Sequence, residues 1–184
     1  MTFADLLGEV ISQLDRADVP YMVTGSIASS YHGEPRATRD VDIVIDPAPD
    51  ALDRLVEGLR IADFYVDPDA AREALEQRSQ FNAIAEDATK VDFIVRRDRP
   101  FSIEEFGRRQ RADLLGTPGF IATAEDLILA KLEWWTESGS ERQLHDAAGV
   151  LSVTRAVDEP YIERWAKALG VGDAWRHIRD TARR

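Results

Sequence analysis

The chain contains the stretch Val23-Thr24-Gly25-Ser26, which is followed after thirteen residues by Asp40-Val41-Asp42. The second stretch opens a run of β-branched apolar residues that ends at Ile45 and has the pattern of a buried strand. Alternate residues of a strand face the same side, so the two carboxylates repel each other unless a cation binds between them. Hard oxygen ligands favour Mg²⁺, or Mn²⁺ in its place. The spacing therefore predicts a divalent metal site formed by Asp40 and Asp42.

Gly25 and Ser26 lie where a short apolar strand passes into a helix of small residues. Backbone N–H groups at the start of such a helix, together with a hydroxyl group, can bind phosphate oxygens. An ordinary strand-to-helix turn with Ser26 as the N-cap residue is the alternative. Because the Asp-x-Asp pair follows, we expect the turn to bind the phosphates of a nucleoside triphosphate (NTP) that the metal also contacts.

Hydrophobic periodicity and turn residues predict an α+β chain without repeats. Helices are predicted at about 2–18, 26–32, 49–60, 68–78, 123–137, 140–151, 158–169 and 172–182. Strands are predicted at about 21–24, 38–45, 64–66, 81–85 and 90–95, with irregular strands over 111–122. Capping boxes are predicted at 102–105 (Ser-Ile-Glu-Glu) and 140–143 (Ser-Glu-Arg-Gln). Residues 1–120 are expected to form an α/β core, and residues 121–184 a C-terminal helical subdomain that completes the site.

Asp92 lies on the return strand of the predicted hairpin. This position puts a third carboxylate in the sheet, where it would complete the metal site and accept a proton from an attacking hydroxyl. The alternative is an aspartate at the margin of the sheet without a role in chemistry. Asp40 and Asp42 are flanked by apolar residues, where an unpaired carboxylate is costly, and this favours cation binding.

Lys131 and Asp146 are expected to meet in the helical region. Lys131 lies eight residues before Gly139 and Asp146 seven residues after it. In an antiparallel hairpin of helices that rise ~1.5 Å per residue, the two side chains lie at similar height. The ammonium can hold triphosphate oxygens, and the aspartate can orient it or contact the base or acceptor. An interhelical salt bridge without a catalytic role is the alternative.

The 184 residues carry a net charge of −11, and the chain has no cysteine. The charge argues against a protein coated with basic surface that binds nucleic acid indiscriminately, and the lack of cysteine excludes disulfides and thiolate metal sites. A local cluster of arginines can form a phosphate-binding strip or an ordinary solvated helix face: Arg96, Arg97, Arg99, Arg108, Arg109 and Arg111. Acidic residues near the N-terminus and the lack of a long apolar run predict no signal peptide and no membrane span, so we expect a cytoplasmic protein.

Gly25-Ser26-x-Ala28, followed by Gly33-x-x-Arg36-x-Thr38-x-Asp40-x-Asp42, resembles the signature of the DNA-polymerase-β-type nucleotidyltransferase superfamily, in its AbiEii/MenT toxin branch. Segments 123–132 and 142–151 resemble the second half of that pattern. The resemblance implies the nucleotidyltransferase fold, in which a mixed central β-sheet is flanked by helices and followed by a helical bundle. It also implies Mg²⁺-dependent transfer of a nucleoside monophosphate from an NTP to an acceptor hydroxyl.

The resemblance assigns roles to residues that match the motifs. Metal ligands would be Asp40, Asp42 and Asp92, and these three would be catalytic together with Lys131 and Asp146. Nucleotide contacts would be made by Gly25, Ser26, Arg36 and Lys131.

Members of the resembling branch imply a toxin that adds nucleotides to the 3′ end of tRNA and is neutralised by a cognate antitoxin. In some cases the antitoxin is kinase-like and modifies the position of Thr38, where a phosphate would add roughly −1.5 to −2 charges beside the carboxylates. Three alternatives remain open: transfer to a small hydroxylated molecule such as an aminoglycoside, transfer to a protein side chain, and a non-catalytic antitoxin or binding protein of the same fold. Acidic residues over 46–87 suit a cationic small acceptor.

Overall fold

A computed structural model describes residues 1–35, 40–154 and 156–182. Backbone contacts divide the chain into two compact units, Met1–Thr24 with Thr38–Ile121, and Gly25–Ala37 with Ala122–Arg184. The first unit contains the sheet and the second is helical. The predicted division after residue 120 lies one residue from the later boundary, but the helix that begins at Gly25 groups with the C-terminal helices.

The chain is mixed α/β, as predicted. The helices among the described residues are α1 (Phe3–Arg16), α2 (Gly25–His32), α3 (Pro49–Ile61), α4 (Pro68–Gln77), α5 (Pro100–Gly107), α6 (Ala124–Ser138), α7 (Glu141–Val153), α8 (Glu159–Ala168) and α9 (Gly172–Ala182). The strands are β1 (Tyr21–Val23), β2 (Asp40–Ile45), β3 (Tyr65–Val66), β4 (Gln80–Ile84), β5 (Lys90–Val95), β6 (Gln110–Leu114) and β7 (Thr117–Ile121). Residues 38 and 39, where the second predicted strand begins, lie outside the described ranges.

The sheet has the strand order β3-β4-β5-β2-β1-β7-β6. Strand β2 runs parallel to β5, and β1 runs parallel to β7, while the other neighbours are antiparallel. The predicted mixed sheet is therefore confirmed. Residues 110–121 form a regular hairpin instead of the irregular strands that we predicted, because Gly116 at φ +91° allows a tight connection between β6 and β7.

One face of the two central strands is fully buried. Its residues are 0% exposed and comprise Val41, Ile43 and Ile45 of β2 with Val91, Phe93 and Val95 of β5. Burial of each such side chain stabilises the fold by ~1.5–3 kcal/mol. Because side chains alternate along a strand, the intervening residues of β2 and β5 all lie on the opposite face, which is more exposed.

One predicted helix start differs from the structure, and one predicted N-cap makes no capping hydrogen bond. Helix α5 begins at Pro100, so Ser102 lies inside the helix and its hydroxyl accepts a hydrogen bond from Arg99 Nε at 3.0 Å. Proline is well suited to the first helical position, and this moves the N-cap from the predicted Ser102 to Arg99, three residues earlier. Ser140 does precede α7, but its side chain makes no capping hydrogen bond.

The second unit is built around the pair α6 and α7, joined at Gly139 with φ +69°. Helix α2 packs against both of them. A Cβ atom on Gly33, just after α2, would lie 3.1 Å from Val150 Cα of α7. Glycine is thus required for the close approach of these two segments. Within the described part of the chain, no helix is both long enough and apolar enough to cross a bilayer.

Candidate active site

The open face of β2 and β5 carries a group of charged side chains. In the parallel register, Asp40 lies opposite Lys90 and Asp42 lies opposite Asp92. Neighbouring strands are about 4.8 Å apart, and paired residues project to the same side. The structure thus places Asp40 and Asp42 on the face that alternation predicted, with Asp92 beside Asp42.

Lys90 is bound to this group, and sequence reasoning missed it. Its Nζ atom donates a hydrogen bond to Asp92 Oδ2 at 2.9 Å. The hydrogen bond to Asp92 raises the pKa of Lys90, and the negative charges of Asp92, Asp40 and Asp42 act in the same direction. The available signal was the spacing, since Lys90 precedes Asp92 by two residues and so shares its face.

Asp92 is the more enclosed of the two partners in this ion pair. Its side chain is 14% exposed, against 42% for that of Lys90. Its other oxygen, Oδ1, is buried and accepts no hydrogen bond from any residue that the structure describes. A buried carboxylate oxygen without a donor is costly, and a bound cation would satisfy it.

The carboxylates can be compared with the needs of the expected metal. Over residues 1–35, 40–154 and 156–182, no three His, Asp or Glu side chains converge closely enough to form a ready metal site. Asp42 and Asp92 nevertheless supply carboxylates in register, one with the partnerless Oδ1. Mg²⁺ keeps several water ligands and commonly binds through one or two carboxylates with substrate phosphates, so these residues fit the ion. The three-aspartate ligand set itself stays a prediction.

The end of β1 lies next to the carboxylate strand. The N–H group of Thr24 donates to the carbonyl oxygen of Asp42 at 2.9 Å. Gly25 follows in the chain with φ +59°, a left-handed conformation that favours glycine, and begins α2. Its carbonyl oxygen accepts a hydrogen bond from Ser29 Oγ at 2.9 Å. The predicted strand-to-helix turn is confirmed, while phosphate contacts by Gly25 and Ser26 stay a prediction.

In the second unit, Lys131 and Asp146 meet across α6 and α7 as expected. Lys131 Nζ lies 3.0 Å from Asp146 Oδ2, and the two residues are only 5% and 8% exposed. The Lys131 ammonium also donates a hydrogen bond to Gln143 Oε1 at 3.1 Å, and sequence reasoning missed this partner. Gln143 lies three residues before Asp146, one helical turn away on the same face, and that spacing was the signal. The contact is confirmed, while a catalytic role for the pair stays a prediction.

Asp146 also borders a small cavity within the second unit. The cavity has a volume of about 130 Å³ and is lined by Ser29, Glu34, Pro35, His145, Asp146 and Gly149. Asp146 therefore borders a space that could hold a small group. Arg36 and Thr38, predicted to contact nucleotide and to be phosphorylated, lie outside the described residues.

Several members of the predicted arginine strip are engaged within the first unit. Arg96 Nε donates to Asp46 Oδ2 at 2.9 Å, so much of its charge is compensated. The guanidinium groups of Arg109 and Arg111 lie 5.2 Å and 5.5 Å from the ring centroid of Phe120. Phosphate binding by the strip stays a prediction. The contacts within the first unit make this prediction weakest for Arg96, whose charge is compensated by Asp46.

Comparison with known proteins finds similar structures but no similar sequences. No protein-family model and no curated protein sequence matches the chain. Among solved structures, ANT(2'')-Ia in complex with adenylyl-2''-tobramycin matches with a TM-score of 0.59 and 14% identity, over 100% of this chain and 98% of that one. The lincosamide antibiotic adenylyltransferase LnuA, with lincomycin bound, matches with a TM-score of 0.57 and 13% identity, over 84% and 99%.

A third likeness is to an antigenic nucleotidyltransferase-like protein from Paracoccidioides brasiliensis. It has a TM-score of 0.53 and 18% identity, and covers 82% of this chain and 74% of that one. These likenesses show that the chain has the fold of nucleotidyltransferases. They do not distinguish the AbiEii/MenT branch.

Proposed function

We propose that the protein is a metal-dependent nucleotidyltransferase that transfers a nucleoside monophosphate from an NTP to an acceptor hydroxyl. The observation that carries the proposal is the pairing of Asp42 with Asp92 on the open face of the sheet, with Asp40 two residues along β2. A fold shared with antibiotic adenylyltransferases supports the same chemistry.

The proposal assigns the carboxylates to the metal and to the proton. Asp40 and Asp42, with Asp92, would hold Mg²⁺ or Mn²⁺. When bound, the ion supplies positive charge for the phosphates and lowers the pKa of the attacking hydroxyl. Asp92 accepts the hydroxyl proton, the acceptor oxygen forms a bond to the α-phosphorus, and the bond between the α- and β-phosphates breaks to release pyrophosphate.

The remaining predicted residues are proposed to bind the nucleotide. Gly25 and Ser26 would donate to phosphate oxygens at the start of α2. Lys131 is a point charge that can hold phosphate, and Asp146, at 3.0 Å, orients its ammonium. Arg36 is proposed as a further phosphate contact.

For the acceptor, we propose the 3′ end of tRNA, as the resemblance to the AbiEii/MenT branch implies, with a cognate antitoxin as partner. A second candidate is a small hydroxylated molecule of the aminoglycoside or lincosamide kind. The fold shared with ANT(2'')-Ia and LnuA, which act on or bind antibiotics according to their names, is compatible with this candidate. The net charge of −11 also suits a cationic small acceptor better than a polyanion.

The test is transfer of label from each α-³²P-labelled NTP, with Mg²⁺, to separate pools of tRNA, protein and aminoglycoside or lincosamide acceptors. We expect Asp42→Asn to lower transfer ~10²-fold or more, as for loss of one preorganised charge contact. Asp63→Asn is the matched control, because it makes the same change at an exposed residue with φ +63°, a conformation that asparagine tolerates.

The pools separate the outcomes. Label in tRNA alone supports the toxin-type activity, and label in the small-molecule pool alone supports the second candidate. No transfer into any pool, or equal transfer by the Asp42→Asn and Asp63→Asn variants, contradicts the proposed function.

A further inference from the structure

Three carboxylates and one ammonium lie together on the open face of β2 and β5. Asp40 and Lys90 are paired across the two strands, as are Asp42 and Asp92. With the carboxylates ionised, the four groups sum to a charge of −2. A divalent cation would neutralise this group, but the ammonium of Lys90 is already inside it.

Lys90 contacts a carboxylate that is largely enclosed. Its Nζ atom lies 2.9 Å from Asp92 Oδ2, whose side chain is only 14% exposed. A hydrogen bond to a charged partner of this length is a strong one. The ammonium thus compensates the charge of Asp92 and occupies one of its oxygens. The proposed chemistry needs this same carboxylate both as a metal ligand and as a proton acceptor.

Lys90 is nevertheless free to move away. Its side chain is 42% exposed, and it is a flexible stem that ends in a strongly hydrated ammonium. Moving into water costs such a group little, whereas Asp92 would be left without its partner. Departure of the lysine is therefore favourable only when another cation takes its place.

We propose that Lys90 is the resident counter-ion of Asp92, that it weakens the binding of a divalent metal to the nucleotide-free protein, and that it leaves the carboxylate when the metal binds. The inference rests on the proposed function, since it needs the carboxylate group to be a metal site. Its consequence is that the metal is loaded mainly together with the NTP. The triphosphate brings negative charge that offsets the repulsion between metal and lysine.

The test is the affinity of the purified full chain for Mn²⁺ without nucleotide, measured by titration calorimetry or by loss of the free-Mn²⁺ electron paramagnetic resonance signal. We expect Lys90→Gln to bind Mn²⁺ roughly tenfold more tightly than the unaltered protein, because one unit of repulsion at contact distance is removed. The difference should shrink as salt is raised, since screening weakens the interaction.

Two variants serve as matched controls. Lys90→Arg keeps the positive charge beside Asp92 and should bind Mn²⁺ no more tightly than the unaltered protein. Arg60→Gln makes the same change in net charge, and also removes a carboxylate ion pair, since Arg60 Nη1 lies 3.6 Å from Glu57 on α3. It should leave Mn²⁺ affinity unchanged. Lys90→Met replaces Lys90→Gln if circular dichroism shows that the glutamine variant is unfolded.

Asp42→Asn separates this inference from the proposed function. If Asp42→Asn abolishes Mn²⁺ binding while Lys90→Gln binds as the unaltered protein does, the metal site stands and the role of Lys90 is wrong. If no protein binds Mn²⁺, or Asp42→Asn binds it normally, both are wrong. The inference is supported if Lys90→Gln binds Mn²⁺ more tightly than the unaltered protein, if Lys90→Arg and Arg60→Gln do not, and if Asp42→Asn abolishes binding.

Discussion

At the residue scale, removing one partner of a buried ion pair lowers the stability of the fold, because the other charge stays buried without it. Lys131 and Asp146 are 5% and 8% exposed, and their charged atoms lie 3.0 Å apart. We expect Lys131→Met to lower the free energy of unfolding by ~3–5 kcal/mol, because it leaves the carboxylate buried without this ammonium. Chemical denaturation measures the change. Lys167→Met, at an exposed position of α8, is the matched control and should change stability by less than ~0.5 kcal/mol.

The double variant Lys131→Met with Asp146→Leu distinguishes the two explanations of the pair. Removing both charges should be much less destabilising than removing one. A folded double variant that no longer transfers nucleotide assigns the pair to catalysis. A folded double variant with full transfer activity leaves only the interhelical salt bridge, and Lys131→Met no less stable than Lys167→Met contradicts the stability prediction.

At the element scale, the hairpin of α6 and α7 depends on one glycine and is weakened by another. Gly139 has φ +69°, whereas Gly149 lies inside α7, and a Cβ atom at either position meets nothing within 4 Å. Space is thus equal at the two sites, and only the backbone conformation differs. We expect Gly139→Ala to destabilise the protein by ~1 kcal/mol, and Gly149→Ala to stabilise it by ~0.5–1 kcal/mol.

Thermal or chemical denaturation of the two variants checks this pair of predictions. Both substitutions add the same methyl group, so each is the control for the other. Effects of the same sign would show that the backbone conformation is not what separates the two sites.

At the scale of the whole molecule, the chain passes between its two units three times, so neither unit is one continuous segment. Helix α2 belongs with α6 and α7, and its buried residues include Ile27 and Ala28. We expect the fragment 122–184 to lack a cooperative melting transition, because the surface that α2 covers is left open to water. Circular dichroism and thermal melting measure this.

Fusing residues 25–35 to fragment 122–184 through a flexible linker should restore cooperative melting. The same fusion with Ile27→Asp should not, because a charge would then replace a buried apolar side chain. Cooperative melting of the fragment without α2 would contradict the assignment of α2 to the second unit.

Regular geometry explains what could be predicted of the fold and site. The alternation of β2 placed Asp40 and Asp42 on one face, and the rise of the helix placed Lys131 level with Asp146. Both predictions use distances within one element or across one short turn. The helix start at Ser102 was less well predicted, because a capping box in the sequence competes with proline at the first helical position. The start at Ser140 was predicted correctly, although the Ser140 side chain makes no capping hydrogen bond.

Contacts between distant segments could not be predicted in the same way. The register of β2 against β5, which puts Asp92 beside Asp42 and Lys90 beside Asp40, depends on which residues are buried on the far face of the sheet. The grouping of α2 with helices a hundred residues later depends on close packing at Gly33. The sequence alone therefore established the element types, the carboxylate-bearing strand and the lysine–aspartate hairpin, because these follow from local periodicity. Tertiary structure decided the ion pair of Lys90 with Asp92, the partnerless oxygen of Asp92 and the composition of the two units, because burial acts between segments that are far apart in the chain.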